Sequence, residues 1–119
     1  MSDTTTETAG KIVWFELPAA DTERAKEFYG QLLGWQFQPS GGQDYHTTYE
    51  ASGAICNAPE QKGLLAYFGV DEIESAIARV RELGGEAADV QEIPGVGLYA
   101  QCIDTEGNRF GLYQHGGGS

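Results

Sequence analysis

Apolar and polar positions along the chain fall into one pattern written twice. A strand-like run, Ile12–Leu17 (IVWFEL), leads to Pro18, and Asp21 then opens a helical stretch that closes at Gly34. Further on, LLAYFGV from Leu64 leads to Asp71, which opens a second helical stretch closing at Gly84-Gly85. Asp is a good N-cap and Gly a good left-handed stop. In the first helix Ala25, Phe28, Tyr29, Leu32 and Leu33 recur at helical spacing, which predicts one buried face with Phe28 and Tyr29 in the core. In the second, Ile73, Ala76, Ile77 and Val80 form the equivalent face. Asp71 and Glu74 have the spacing of a capping box.

Short strands are predicted after each helix. In the first copy they are Trp35–Phe37, Tyr45–Glu50 and Ala54–Ala58, separated by the turn segments SGGQD and ASG. In the second they are Glu86–Ile93, Gly97–Asp104 and Asn108–Gln114, the last two joined by DTEGN. Asn57–Gly63, with Pro59 inside it, reads as the linker. Each copy is therefore a βαβββ unit. The expected organisation is one α+β domain over residues 11–115, with module one at 11–58 and module two at 64–115. Residues 1–10 and 116–119 read as disordered tails. A repeat of this kind places a functional groove between its copies.

The length of 119 residues suits one domain with a modest core. The net charge of −11, from 18 acidic and 7 basic residues, argues against nucleic acid or anionic membrane as partner. The field of such a chain attracts cationic ligands, although acidic charge also serves solubility. No apolar run approaches the roughly 20 residues needed to span a bilayer, and no signal-peptide core follows Met1, so a cytoplasmic protein is expected. The two cysteines, Cys56 and Cys102, stand in apolar strand contexts without a CxxC. They read as buried free thiols.

The segments D21TERAKEFYGQLLGW35, V70DEIESAIARVRELGG85, I93PGVG97 and D104TEGNRFGLYQ114 resemble the vicinal oxygen chelate superfamily. That superfamily includes glyoxalase I, bleomycin-resistance proteins, fosfomycin-resistance enzymes and extradiol dioxygenases. The likeness spans about Ile12–Gln114. It implies a curved mixed sheet made by the two βαβββ modules, helices on its convex side, and a concave cup for ligand or metal. It also implies a homodimer. Enzymes of the superfamily hold a divalent metal through His, Gln and Glu at fixed strand positions. Those positions are occupied here by Trp14, Leu65 and Gly111, with no carboxylate near Ala54–Asn57. Indole, isobutyl and hydrogen offer no lone pair to a cation. The expectation is no metal and no cofactor.

If Trp14 points into the cup, strand alternation brings Glu16 with it and sends Val13, Phe15 and Leu17 toward the helix. Likewise Leu65 and Tyr67 point inward while Phe68 and Val70 go to the core. Arg109, Gly111 and Tyr113 point inward while Phe110 and Leu112 go to the core. Tyr99 and Gln101 line the cup above Ala100 and Cys102. In Tyr45–Glu50 either parity could face the cup. The candidate ligand-binding residues are thus Trp14, Glu16, Leu65, Tyr67, Tyr99, Gln101, Arg109 and Tyr113. Aromatic walls with few polar anchors suit a planar or cationic small molecule. The same aromatic groups would otherwise simply fill the cup or a dimer interface, and Glu16 would pair with Arg109.

No nucleophile elbow, P-loop or dinucleotide fingerprint is present. Candidate acid–base groups are Glu16, His46 and Glu50. The leading expectation is a metal-free protein that binds a small aromatic or cationic molecule. The alternatives are an enzyme, using an atypical metal site or Glu16 or His46 without cofactor, and a dimeric accessory subunit.

Overall fold

The computed structural model describes residues 9–40 and 44–116. The expected tail before Ala9, the middle of the SGGQD turn and residues 117–119 lie outside the described residues. The described residues divide into two compact units, one within 14–65 and one formed by 9–13 with 66–116. Each carries one helix and a mixed sheet, so the class is α+β.

The first unit takes β1 (Ile12–Ala19) from Trp14 onward, α1 (Thr22–Leu33), β2 (Gln38–Pro39), β3 (Tyr45–Thr48) and β4 (Gly53–Asn57). Its strands are ordered β2-β3-β4-β1. β1 and β4 are parallel, with Glu16 opposite Ala54. β3 and β4 are antiparallel, with Tyr45 opposite Cys56 and Thr47 opposite Ala54.

Three expectations are corrected in this unit. Pro18 does not end β1, which continues to Ala19. The Ala19 carbonyl accepts from Ala58 N–H, so odd-numbered residues bond toward β4 and the donorless Pro18 nitrogen points the other way. Trp35–Phe37 is not a strand; pairing begins at Gln38, opposite Thr47. Trp35 instead lies on Tyr29 (ring centroids 5.7 Å) and beside Phe15 (5.8 Å). Stacking thus takes the residues that alternation would have given to a ladder.

The third correction concerns α1. Asp21 caps it through Arg24 N–H (3.0 Å), and Gly34 closes it at φ 77°. Its expected apolar face, however, turns to the sheet only through Ala25 and Tyr29. Phe28, Leu32 and Leu33 are exposed, and Thr22 is the helix's buried residue. Ala25, Lys26 and Tyr29 share the inward side with Thr22 at least partly buried. The sheet side below carries His46 and Thr48, buried alongside Ile55.

The second unit holds β5 (Leu65–Gly69) from Ala66 onward, α2 (Ile73–Glu82), β6 (Glu86–Ala87), β7 (Gln91–Ile93), β8 (Gly97–Ile103) and β9 (Arg109–His115). β5 and β9 are parallel, with Tyr67 opposite Gly111. β8 and β9 are antiparallel, with Gln101 opposite Gly111 and Tyr99 opposite Tyr113. Ordered pairing includes residues before β1: Gly10 N–H donates to Gly69 and Gly69 N–H to Lys11. The core is Ile73, Ile77, Ala100, Cys102 and Leu112, with Phe68, Val70 and Phe110 packed against it.

Two corrections apply here. The cap of α2 is Glu72 rather than Asp71, and its side chain makes no cap bond. Ile73 N–H is satisfied by Gln114 Oε1 at 2.8 Å, a tertiary contact invisible to capping-box spacing. The single strand expected over Glu86–Ile93 is two strands. Glu86 pairs with Ile103 and Gln91 with Tyr99, so register slips by one residue between them. That extra residue lets Val90 turn into the core.

Candidate functional site

In each unit the helix covers one sheet face, and side chains of the opposite parity stand on the other. On the first unit that second face carries Trp14 and Glu16 from β1 and Tyr45 and Thr47 from β3. Tyr45, not His46, has the parity of Trp14. The three polar aromatic and acidic groups form one hydrogen-bonded series. Trp14 Nε1–H donates to the Tyr45 hydroxyl at 2.8 Å, and that hydroxyl donates to Glu16 Oε2 at 2.8 Å. Tyr45 crosses β4 to reach Glu16, and the β4 residue opposite Glu16 is only Ala54. The final bond ends on a carboxylate and is charge-assisted. Indole, phenol and carboxylate are thereby held in fixed orientation on one surface.

The other two acid–base candidates lie elsewhere. His46 is on the helix side, 9% exposed. Its Nε2 is 2.7 Å from Asp44 Oδ1, so Nε2 carries the proton and Nδ1 faces Lys26 Nζ at 3.5 Å. Thr22 Oγ1–H also donates to Asp44 Oδ1, at 2.7 Å. The Thr22 hydroxyl first, and His46 second, hold the Asp44 carboxyl below its usual range. Lys26 is itself paired with Glu23 at 2.9 Å. Glu50 accepts from Thr48 Oγ1–H (2.9 Å) and Gln36 N–H (3.3 Å), which lower its pKa, the Thr48 bond most. It ties the turn after β3 to the segment after α1. The structure therefore brings Glu16 together with Trp14 and Tyr45, and leaves His46 and Glu50 in separate polar clusters. Tyr45 was the residue that strand parity left undecided. Its role follows from the β3–β4 register, which no local pattern specifies.

On the second unit Tyr67, Tyr99, Gln101, Gly111 and Tyr113 share the face away from α2. Tyr67 lies across β9, and its hydroxyl accepts from Gln101 Nε2–H at 3.2 Å on β8. This crossing depends on Gly111, opposite both residues. A Cβ at Gly111 would fall 2.2 Å from Tyr67 Cδ2, so glycine is needed for the ring to lie there. Tyr67 is 4% exposed and meets Tyr99 edge-on at 6.1 Å. Tyr113 donates to the Val96 carbonyl at 3.0 Å, and burial pushes its phenol pKa up. Arg109 begins β9 half-buried, opposite Ile103. Leu65, 3% exposed, has the parity of Tyr67 on β5. Both cysteines are free thiols, Cys102 buried and Cys56 half-buried.

The metal that the resemblance implies does not fit these residues. Trp14, Leu65 and Gly111 supply no donor atom, and the Tyr67 ring occupies the space over Gly111. Among the described residues no group of three or more His, Cys, Asp or Glu side chains is placed to hold a metal ion. Among them, too, no helix is long and apolar enough to cross a membrane.

Comparison with known proteins agrees with this architecture. Residues 11–45 match the family model for the bleomycin resistance protein-like N-terminal region. The chain is 33% identical over 114 residues to a glyoxylase-like domain-containing protein of Didymella fabae, covering 83% of this chain and 89% of that one. It is 26% identical over 113 residues to the protein CFP32 of Mycobacterium bovis, covering 87% of this chain but only 43% of that longer one. A solved structure from Vibrio splendidus, a glyoxalase/bleomycin resistance protein/dioxygenase superfamily member, superposes with a TM-score of 0.66 at 18% identity. That match covers 89% of this chain and 99% of the other.

Proposed function

The chain belongs to the glyoxalase/bleomycin resistance/dioxygenase superfamily, and from that premise we propose that it binds a small aromatic or cationic molecule without a resident divalent metal. The observation that carries this reading is the Trp14–Tyr45–Glu16 series on the open face of the first unit. A planar ligand stacks on indole or phenol, and a cationic or N–H group on it meets the Glu16 carboxylate. Because Trp14 and Tyr45 already orient one another and Glu16, little side-chain freedom is lost on binding. The Tyr67 ring over Gly111 supports the metal-free part of the proposal, since it fills the position from which the superfamily's terminal carboxylate would reach a metal.

The test is a titration with planar aromatic amines read by tryptophan emission, on protein purified without chelator and checked for metals. The expected result is saturable quenching and no stoichiometric metal. Trp14→Phe should lose most of the signal, whereas Trp35→Phe should keep it. Glu16→Gln should weaken binding of the cationic compounds about tenfold, the loss of one charge-assisted contact. A stoichiometric divalent ion, or binding indifferent to both Trp14 and Glu16, overturns the proposal. Turnover of a bound compound that is lost in Glu16→Gln would turn it into an acid–base enzyme, with Tyr45 and Glu16 as the proton-transfer pair.

A further inference from the structure

A second cluster of reactive side chains lies under α1, on the sheet face opposite Trp14 and Tyr45. Its centre is Lys26, whose side chain is 23% exposed. Lys26 Nζ stands 3.5 Å from His46 Nδ1. The buried His46 ring donates through Nε2 to Asp44 Oδ1 at 2.7 Å, and the Thr22 hydroxyl donates to the same oxygen at 2.7 Å. An amine, a base within reach of it and a third group that orients the base make the arrangement of an activated nucleophile. Such contacts are commonly long before a substrate arrives. Lys26 also borders an open hollow lined by Asp21, Glu23, Arg24, Glu27 and Phe37. Its three carboxylates repel anions, and Arg24 is already paired with Asp21 at 3.8 Å. The hollow therefore suits an uncharged molecule that lies against the Phe37 ring. The other two lysines, Lys11 and Lys62, are exposed.

We propose that Lys26 captures a small uncharged aldehyde as an iminium, with His46 carrying the proton. Lys26 begins as an ammonium with three protons. One passes to His46 Nδ1 as the nitrogen electron pair adds to the carbonyl carbon and the C=O π pair moves onto oxygen. A second moves from the adduct nitrogen to that oxygen. The imidazolium, facing the Asp44 carboxylate, then gives the first proton to the new hydroxyl, which leaves as water while the nitrogen pair closes the C=N bond. The third proton stays on the iminium nitrogen, and hydrolysis reverses the sequence. Asp44 is a positioning residue here, and Thr22 holds it in place. Glu23 opposes the first step: its carboxylate, 80% exposed, lies 2.9 Å from Lys26 Nζ and favours the ammonium.

The test treats the full chain with benzaldehyde and cyanoborohydride, which reduces an iminium to a stable secondary amine. Peptide mass spectrometry reads the label at each lysine, with Lys11 and Lys62 as internal standards. Lys26 should be labelled about tenfold faster than either, the low end of what a positioned acid–base group contributes once an exposed ion pair opposes it. His46→Gln should abolish that advantage and leave the Lys11 and Lys62 rates unchanged. Glu23→Gln should raise the Lys26 rate about threefold, the release of an exposed ion pair. Carboxybenzaldehyde, the anionic counterpart, should lose the preference for Lys26. A cluster that only supports the fold gives neither the advantage nor the gain in Glu23→Gln. Because Glu23 is exposed, its variant reports even where His46→Gln disturbs folding. Lys26 labelled no faster than the standards, an advantage kept in folded His46→Gln, or a Lys26 rate not raised by Glu23→Gln overturns the proposal. Equal preference for the anionic aldehyde overturns its assignment to an uncharged one.

Discussion

The two helices share a place in the repeat and differ in what they bury. α2 sets Ile73 and Ile77 into an aliphatic cluster with Ala100, Cys102 and Leu112, at 1% and 4% exposure. α1 buries a threonine and half-buries Ala25, Lys26 and Tyr29, while Phe28 and Leu32 face outward. Among the described residues the buried polar ones, Thr22, His46, Thr47 and Thr48, lie in the first unit. Among the described residues none of their buried polar side-chain atoms lacks a hydrogen bond. A repeated pattern thus specifies the element and its position without specifying which side of the helix turns inward. That side is chosen by what the sheet offers. Phe68, Ala100 and Leu112 offer α2 an apolar bed, whereas Asp44 and His46 offer Thr22 and Lys26 of α1 hydrogen-bond partners.

Truncating each helix tests this contrast most directly. Ile77→Ala should cost about 2–4 kcal/mol, the usual loss for a buried Ile reduced to Ala. Phe28→Ala should change stability by under about 1 kcal/mol, as for an exposed site, and the better helix propensity of Ala offsets part of that. Urea unfolding of both variants checks it. If Phe28→Ala costs as much as Ile77→Ala, α1 packs as its sequence pattern predicts, and the contrast falls.

A second contrast lies on the opposite sheet faces. In each unit a tyrosine crosses the strand beside it to bond a side chain one strand further: Tyr45 to Glu16 over β4, Tyr67 to Gln101 over β9. The strand crossed carries Ala54 in one case and Gly111 in the other. Gly111→Ala should therefore destabilise by about 1–3 kcal/mol through overpacking against a ring that cannot swing clear. In a Tyr67→Ala background the same substitution should cost almost nothing. Such non-additivity in a double-mutant cycle locates the strain at this contact. Equal costs in both backgrounds would mean that Gly111 matters for its backbone and not for the ring.

Much of this was legible along the chain, and the gaps have physical causes. Strand parity placed Phe68, Phe110 and Leu112 on the α2 side, because alternation and burial agree there. It also put Trp14 and Glu16 together. It left Tyr45 and His46 undecided, since both parities of that strand are polar and only the register with Ala54 and Cys56 separates them. The cap of α2 was misplaced because its donor is satisfied by Gln114, distant in sequence. Phe28 was assigned to the core, and Leu32 to the same helix face, because periodicity reports a stripe without saying what the stripe meets. Trp35 was read as a strand because local alternation says nothing of rings stacking on Tyr29 and Phe15.

The smallest effect expected separates the units by pH. Asp44 in the first unit has its carboxyl held low by the Thr22 hydroxyl and His46. Asp104 in the second is held low by Asn108 and Glu106 N–H groups in the turn between β8 and β9, the Asn108 backbone bond most. For both, the folded-state value lies below the unfolded one, so the unfolded chain binds more protons in the interval between them. Each contribution is therefore fully present above about pH 3.9, the ordinary Asp value, and is lost as pH falls through the folded-state value. Thr22→Val removes the largest cause for Asp44 and leaves Asp104 untouched; Asn108→Ala removes a side-chain bond to Asp104 and leaves Asp44 untouched. Urea midpoints measured from about pH 6 down to about pH 2.5 should show a shallower acid slope in each variant. The two reductions should add, because no partner is shared between the clusters. A slope unchanged by Thr22→Val would mean that His46 alone holds the Asp44 carboxylate, and that the polar interior under α1 is less closely coupled than its hydrogen bonds imply.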